Sequence, residues 1–109
     1  MRTELPVLPD LRLDSPAPDI QASMAVAGLL ADRTRMGILR LLRDGPYCVC
    51  EMAAILGERQ NNVSNHLARL READLVRPTR AGADSRRVYY ERDEAACAAA
   101  EAALRDVLG

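Results

Sequence analysis

Met52-Ala53-Ala54-Ile55-Leu56-Gly57-Glu58-Arg59-Gln60-Asn61-Asn62-Val63-Ser64-Asn65-His66-Leu67-Ala68-Arg69-Leu70 carries two apolar stripes at helical spacing on either side of a glycine. Met52, Ile55 and Leu56 predict one inward face, and Val63, Leu67 and Leu70 predict another. Gly57 stops the first helix, read over about 48–56, and Glu58 to Gln60 forms the turn into a second helix over about 61–73. A short supporting helix, a tight turn and a second helix make a helix-turn-helix unit, whose second helix is the one that enters the major groove of DNA.

On a helical wheel the second helix turns Asn61, Asn65, Ala68, Arg69 and Glu72 away from its apolar stripe, with Asn62, Ser64 and His66 on the flanks. Amides pair bidentately with adenine and arginine with guanine, so Gln60, Asn61, Asn65 and Arg69 form a candidate base-reading face. The flanking Ser64 and His66 are better placed for phosphates, which position a protein without specifying sequence, and Asn62 belongs to the same surface. Taken alone, His66 reads more plainly as a histidine satisfied by a local carbonyl; its neighbours give it the DNA-facing reading.

Upstream, Ile20, Met24, Ala27 and Leu30 form an apolar stripe behind a capping Asp19. Another helix, opened by Asp32 or Thr34, runs from Met36 to Arg43, buries Ile38, Leu41 and Leu42, and is stopped by Asp44-Gly45-Pro46. Downstream, two short strands near 76–80 and 87–91 flank Ala81-Gly82-Ala83-Asp84-Ser85, a hairpin loop. A last helix, Asp93 to Val107, carries seven alanines, a smooth surface that suits a homodimer seam, although alanine also favours helix by itself. Four helices, two strands and a closing helix predict a mainly α fold with a small β-hairpin, the winged helix-turn-helix. Arg80, Arg86 and Arg87, in and beside the hairpin, then approach the DNA backbone or the minor groove.

Residues 1–18 hold four of the six prolines and read as an extended arm, leaving 19–109 as one domain. The 109 residues include three Tyr and neither Phe nor Trp, so the core must come from Leu, Val, Ile, Ala and Met. The net charge of −1 hides an asymmetry: residues 58–92 carry eight Arg against five acids, and residues 93–109 one Arg against four. A basic middle between acidic flanks fits one face meeting phosphate. The chain shows no signal-peptide pattern and no apolar run long enough to span a membrane, so the expected setting is the cytoplasm, where the three cysteines stay reduced.

Cys48-Val49-Cys50 opens the supporting helix. Side chains at i and i+2 point to different sides of an ideal helix, so such a pair grips one ion only in a first turn whose backbone yields. A helix N-terminus would also lower the thiol pKa values and favour thiolates. Soft thiolates select thiophilic species, and Glu51 reads as a capping-box partner rather than a ligand.

Ala31-Asp32-Arg33-Thr34-Arg35, Cys48-Val49-Cys50-Glu51-Met52-Ala53, the run from Asn62 to Val76 and Arg87-Val88-Tyr89-Tyr90 resemble the ArsR/SmtB family over about residues 20–108. The resemblance implies a homodimeric winged-helix repressor that releases double-stranded operator DNA on binding arsenicals or metal ions, with no catalytic residues and no resident cofactor. The arsenic-type branch adds a third cysteine three residues after the pair, where this chain has Ala53. The cadmium/lead-type branch adds cysteines from the N-terminal arm, which has none here. The zinc-type site of the last helix looks lost, because Asp93 is followed by Ala95 where a histidine is expected. The metal or metalloid candidates are therefore Cys48, Cys50 and Cys97, for As(III) or Sb(III), or for Cd(II) or Pb(II) with added carboxylates. Two thiols suffice for a monomethylated arsenical. Cys97 reads equally well as a small buried residue of an alanine-rich helix.

A repressor switched by reversible disulfide formation is the main alternative. An oxidoreductase is disfavoured, because no basic partner for a nucleophile accompanies the pair. A winged-helix interaction module is disfavoured by the Asn- and Arg-rich face.

Overall fold

The computed structural model describes residues 18–80, 82, 84 and 86–109. The elements run α1 (Pro18–Leu30), α2 (Arg33–Leu42), β1 (Tyr47–Cys48), α3 (Val49–Leu56), α4 (Gln60–Glu72), β2 (Val76–Thr79), β3 (Tyr89–Arg92) and α5 (Glu94–Leu108). This is the winged helix-turn-helix that the sequence predicts, mainly helical with a small antiparallel sheet. The predicted arm lies outside the described residues apart from Pro18, which opens α1 one residue before the expected cap Asp19. Proline is favoured at a first helical position because its missing N–H is unneeded there. Among the described residues no helix is long and apolar enough to cross a membrane.

The sheet holds one strand more than predicted. Its order is β1-β3-β2, with Tyr47 opposite Tyr90 and Cys48 opposite Tyr89 on one side, and Val76 opposite Arg92 on the other. Two-residue β1 is too short to carry an alternating pattern, so nothing in its composition announces it. Pro78 falls on edge strand β2, where its missing N–H costs no ladder bond.

Asp32 caps α2 by accepting from the Arg35 N–H at 2.9 Å. Gly57, in left-handed backbone at φ 67°, closes α3 as expected. α4 ends in a Schellman turn: Asp74 is left-handed at φ 62°, the Leu75 N–H reaches Leu70 O at 3.0 Å, and the Asp74 N–H reaches Arg71 O at 2.9 Å. The core gathers Ile38 and Leu42 from α2, Met52 and Ala53 from α3, Val63, Leu67 and Leu70 from α4, with Leu75 and Val76 following. Ile55, predicted inward, is 56% exposed, because Met52 and Ala53 take the core side of α3. The stripe of α1 is also displaced. Met24 and Ala27 are exposed, while Ser23 is buried and its hydroxyl donates to Ala103 O of α5 at 2.6 Å. α5 itself has no fully buried residue.

Candidate thiol site and nucleic-acid interface

Cys48 ends β1 and serves as N-cap of α3, in extended backbone at φ −87° and ψ 166°. Val49 begins the helix, so only Cys50 is fixed by helical geometry. The extended residue swings the first sulfur over the helix end, and the free Cys48 and Cys50 sulfurs lie 2.7 Å apart. A strand-to-helix junction thus resolves the i, i+2 spacing that one regular helix could not. Glu51 completes the capping box, its carboxylate accepting the Cys48 N–H at 2.9 Å.

Burial pushes the Cys48 thiol above its ordinary range, and the hydrogen bond with Cys50 pushes it further; the Glu51 N–H and Arg87 pull the other way with less effect. The expected lowering by the helix N-terminus is therefore outweighed at this sulfur, since removing a thiolate from water costs more than one end of a short helix returns.

Arg87, expected from the sequence to approach DNA, has its guanidinium beside the thiols. Its Nη1 donates to Cys50 Sγ at 2.6 Å and lies 3.8 Å from Cys48 Sγ. The pairing of Cys48 with Tyr89 brings this about, because Arg87 lies two residues before Tyr89, the first residue of β3, on the path that runs beside β1. Asp84 Oδ2 flanks Arg87 Nε at 3.6 Å, and the Asp84 carboxyl is held below the usual range, first by the Arg86 N–H.

Cys97 is not brought to the pair within the protomer. Its half-buried sulfur faces Leu75 O at 3.8 Å, and burial raises this thiol too. It lines a separate cavity with Leu30, Leu39 and Arg92. Ala53, at the third-thiol position of the arsenic-type pattern, is buried in the core. Among the described residues no group of three or more His, Cys, Asp or Glu is placed to hold a metal ion.

On α4, Gln60, Asn61, Ser64, Asn65 and Arg69 are exposed opposite the buried stripe, as the wheel predicts. Asn62 is turned back, donating to Glu58 Oε1 at 2.7 Å. His66 is drawn inward. Its Nδ1 accepts from Arg35 Nη1 at 3.0 Å and lies 3.6 Å from Asp32 Oδ2. Arg35 also donates to Leu29 O and Gly28 O, so one side chain joins the end of α1, the start of α2 and the middle of α4. The sequence reading missed Arg35, whose partners lie 6, 7 and 31 residues away and share no local pattern with it. In the wing, Arg80 and Arg86 are exposed, and Arg86 also bonds Asp84.

The family described as "Bacterial regulatory protein, arsR family" matches residues 32–77, from the cap of α2 into β2, including both thiols of the pair and all of α4. A solved structure described as a possible transcriptional regulator for arsenical resistance is 31% identical, with a TM-score of 0.61, covering 77% of this chain and 80% of that one. The chain belongs to the ArsR family. Two curated ArsR-family relatives are the arsenical resistance operon repressor of Escherichia coli, 47% identical over 49 residues, and the arsenic resistance transcriptional regulator ArsR1 of Pseudomonas putida, 44% identical over 62. The aligned parts cover 44% and 56% of this chain, and the chain spans about half the length of these relatives, 42% and 46%. These relatives are transcriptional regulators, not enzymes.

Proposed function

We propose that the chain is a transcriptional repressor that binds operator DNA as a homodimer and lets go when a thiophilic effector bridges Cys48 and Cys50. The effector class is a trivalent arsenical or antimonial, with cadmium and lead as the softer divalent alternatives. The observation that carries this reading is the facing of two free sulfurs at the N-cap of the helix that supports α4. The names of the arsenical-resistance relatives support it. Bonding to one effector atom fixes both sulfurs and displaces the cap of α3. That helix shares its buried Met52 and Ala53 with Val63 and Leu67 of α4, so the displacement reaches the recognition helix through packed side chains. Effector coupling energies are typically about 1–3 kcal/mol, and a dimer with two sites has two such terms.

In this reading Gln60, Asn61, Asn65 and Arg69 read bases, Ser64 contacts backbone, and Arg80 and Arg86 flank the duplex from the wing. The alanine-rich, incompletely buried faces of α5 and α1 supply the dimer seam. The test is operator release, measured by fluorescence anisotropy with reductant present, on adding arsenite, methylarsenite, cadmium, lead or zinc. Cys48→Ala and Cys50→Ala are expected to stay bound, and Cys97→Ala to respond as the unaltered chain does. Normal release from Cys48→Ala refutes the sensor, loss of release from Cys97→Ala adds a third donor, and release by peroxide alone substitutes a redox switch.

A further inference from the structure

Two thiols leave a trivalent metalloid with one bonding position unfilled, and the structure indicates what stands beside it. Glu51 is committed to the Cys48 N–H, Ala53 offers only a methyl group in the core, and Cys97 faces Leu75. Among the described residues, the polar side chain that reaches the sulfurs from outside the helix is Arg87, with Nη1 at 2.6 Å from Cys50 Sγ and 3.8 Å from Cys48 Sγ. A guanidinium is a donor only and cannot itself bond the metalloid. Once both sulfurs are bonded to the metalloid their lone pairs are drawn toward it, and they become poorer acceptors for the donor beside them. A hydroxyl or oxide on the metalloid supplies a better acceptor, while a methyl group leaves the guanidinium unpaired at that side.

We propose, resting on the effector reading above, that Arg87 is a specificity-determining residue that favours effectors retaining an oxygen on the metalloid, inorganic arsenite or antimonite, over alkylated arsenicals. For arsenite, As(OH)3, two As–S bonds form and two As–O bonds break. The two hydroxyls leave as water with the two thiol protons. Arsenic stays trivalent, and the remaining As–OH oxygen accepts from Arg87. For methylarsenite the same two exchanges leave As–CH3 in that place. Arg87 lies 3.6 Å from Asp84 and two residues before the paired strand β3, so the donor is carried by the scaffold and not by the effector.

The experiment titrates the full reduced chain with arsenite and with methylarsenite, following sulfur–arsenic absorbance in competition with a small dithiol. Arg87 is 54% exposed, which places its bond at the weak end of charge-assisted pairs. In Arg87→Met the arsenite affinity is therefore expected to fall about tenfold relative to methylarsenite, whose affinity holds. Arg87→Gln, with a neutral donor, is expected to lose part of that preference. Circular dichroism identifies the folded variants. An unchanged affinity ratio in either folded variant, or an equal loss for both ligands, overturns the proposal. If the unaltered chain binds neither ligand, or binds both equally well as Cys48→Ala, the effector reading falls and this inference falls with it.

Discussion

Replacing Arg35 by methionine keeps the aliphatic stem and removes the guanidinium that ties three helices together. The side chain donates to Leu29 O and Gly28 O at the end of α1 and to His66 Nδ1 on α4. Hydrogen bonds from a charged donor contribute about 1.5–3 kcal/mol each when buried, and solvent access lowers that. Arg35 is half-buried and its bond to Gly28 is long at 3.5 Å, so the three together are expected to contribute about 2 kcal/mol. For a domain of this size that lowers Tm by roughly 10 °C. The assay is urea unfolding followed by far-UV circular dichroism at one fixed protein concentration, since self-association would otherwise enter the measured stability. A cycle with His66→Ala isolates the bond between α2 and α4, with an expected coupling of about 1 kcal/mol. A loss below about 0.5 kcal/mol, or strict additivity of the two substitutions, would refute the view that Arg35 fixes the recognition helix. Operator affinity of Arg35→Met should fall further than its stability alone requires, because α4 loses its anchor to the first two helices.

Asp74→Gly should raise stability by about 0.5–1 kcal/mol in a thermal melt, because an L-residue at φ 62° is strained where glycine is not; a drop would contradict the Schellman assignment. Met52→Ala empties a fully buried site shared by α3 and α4 and should cost about 2–5 kcal/mol in urea unfolding. Asp32 has its carboxyl held below the ordinary range, first by the Arg35 N–H and further by the Arg35 guanidinium. Its contribution is therefore complete above the unfolded carboxylate value and disappears as pH falls through the lower folded value. Tm should hold from pH 7 to pH 5 and decline below about pH 4, and Asp32→Asn, which still caps α2, should flatten that decline. An identical acid limb in the two proteins would rule out Asp32 as its source.

Local pattern made much of this fold legible. The wheel of α4 separated Val63, Leu67 and Leu70 from Asn61, Asn65 and Arg69, and the structure buries and exposes the same residues. Gly57 marked the end of α3 because left-handed backbone selects glycine, whereas the equivalent stop of α4 is an aspartate and carries no such mark. What stayed illegible depends on pairing between distant segments. β1 exists because Tyr47 and Cys48 lie against β3, not because of any preference of their own. That pairing sets Arg87, an expected DNA contact, beside a thiol 37 residues away in the chain. His66 likewise has a partner that spacing does not reveal, an arginine 31 residues upstream. The thiol pair was visible as a pair, but the direction of the Cys48 shift depended on how deeply the sulfur is buried, which spacing does not reveal.

Cys48 is at once the last residue of a strand, a helix cap and a thiol, and this overlap bears on how the site should be altered. Serine, the usual replacement of sulfur by oxygen, is among the preferred N-cap residues and strengthens a helix start by about 1 kcal/mol over a non-capping side chain. A Cys48→Ser chain would lose an effector-binding atom and tighten the very turn that effector capture is proposed to loosen. It would hold its operator for two unrelated reasons, and the response lost by chemistry could not be told from that lost by stiffening. Alanine at the same position removes the sulfur without the stronger cap, and the difference between the two variants measures how much of the switch resides in the first turn of α3.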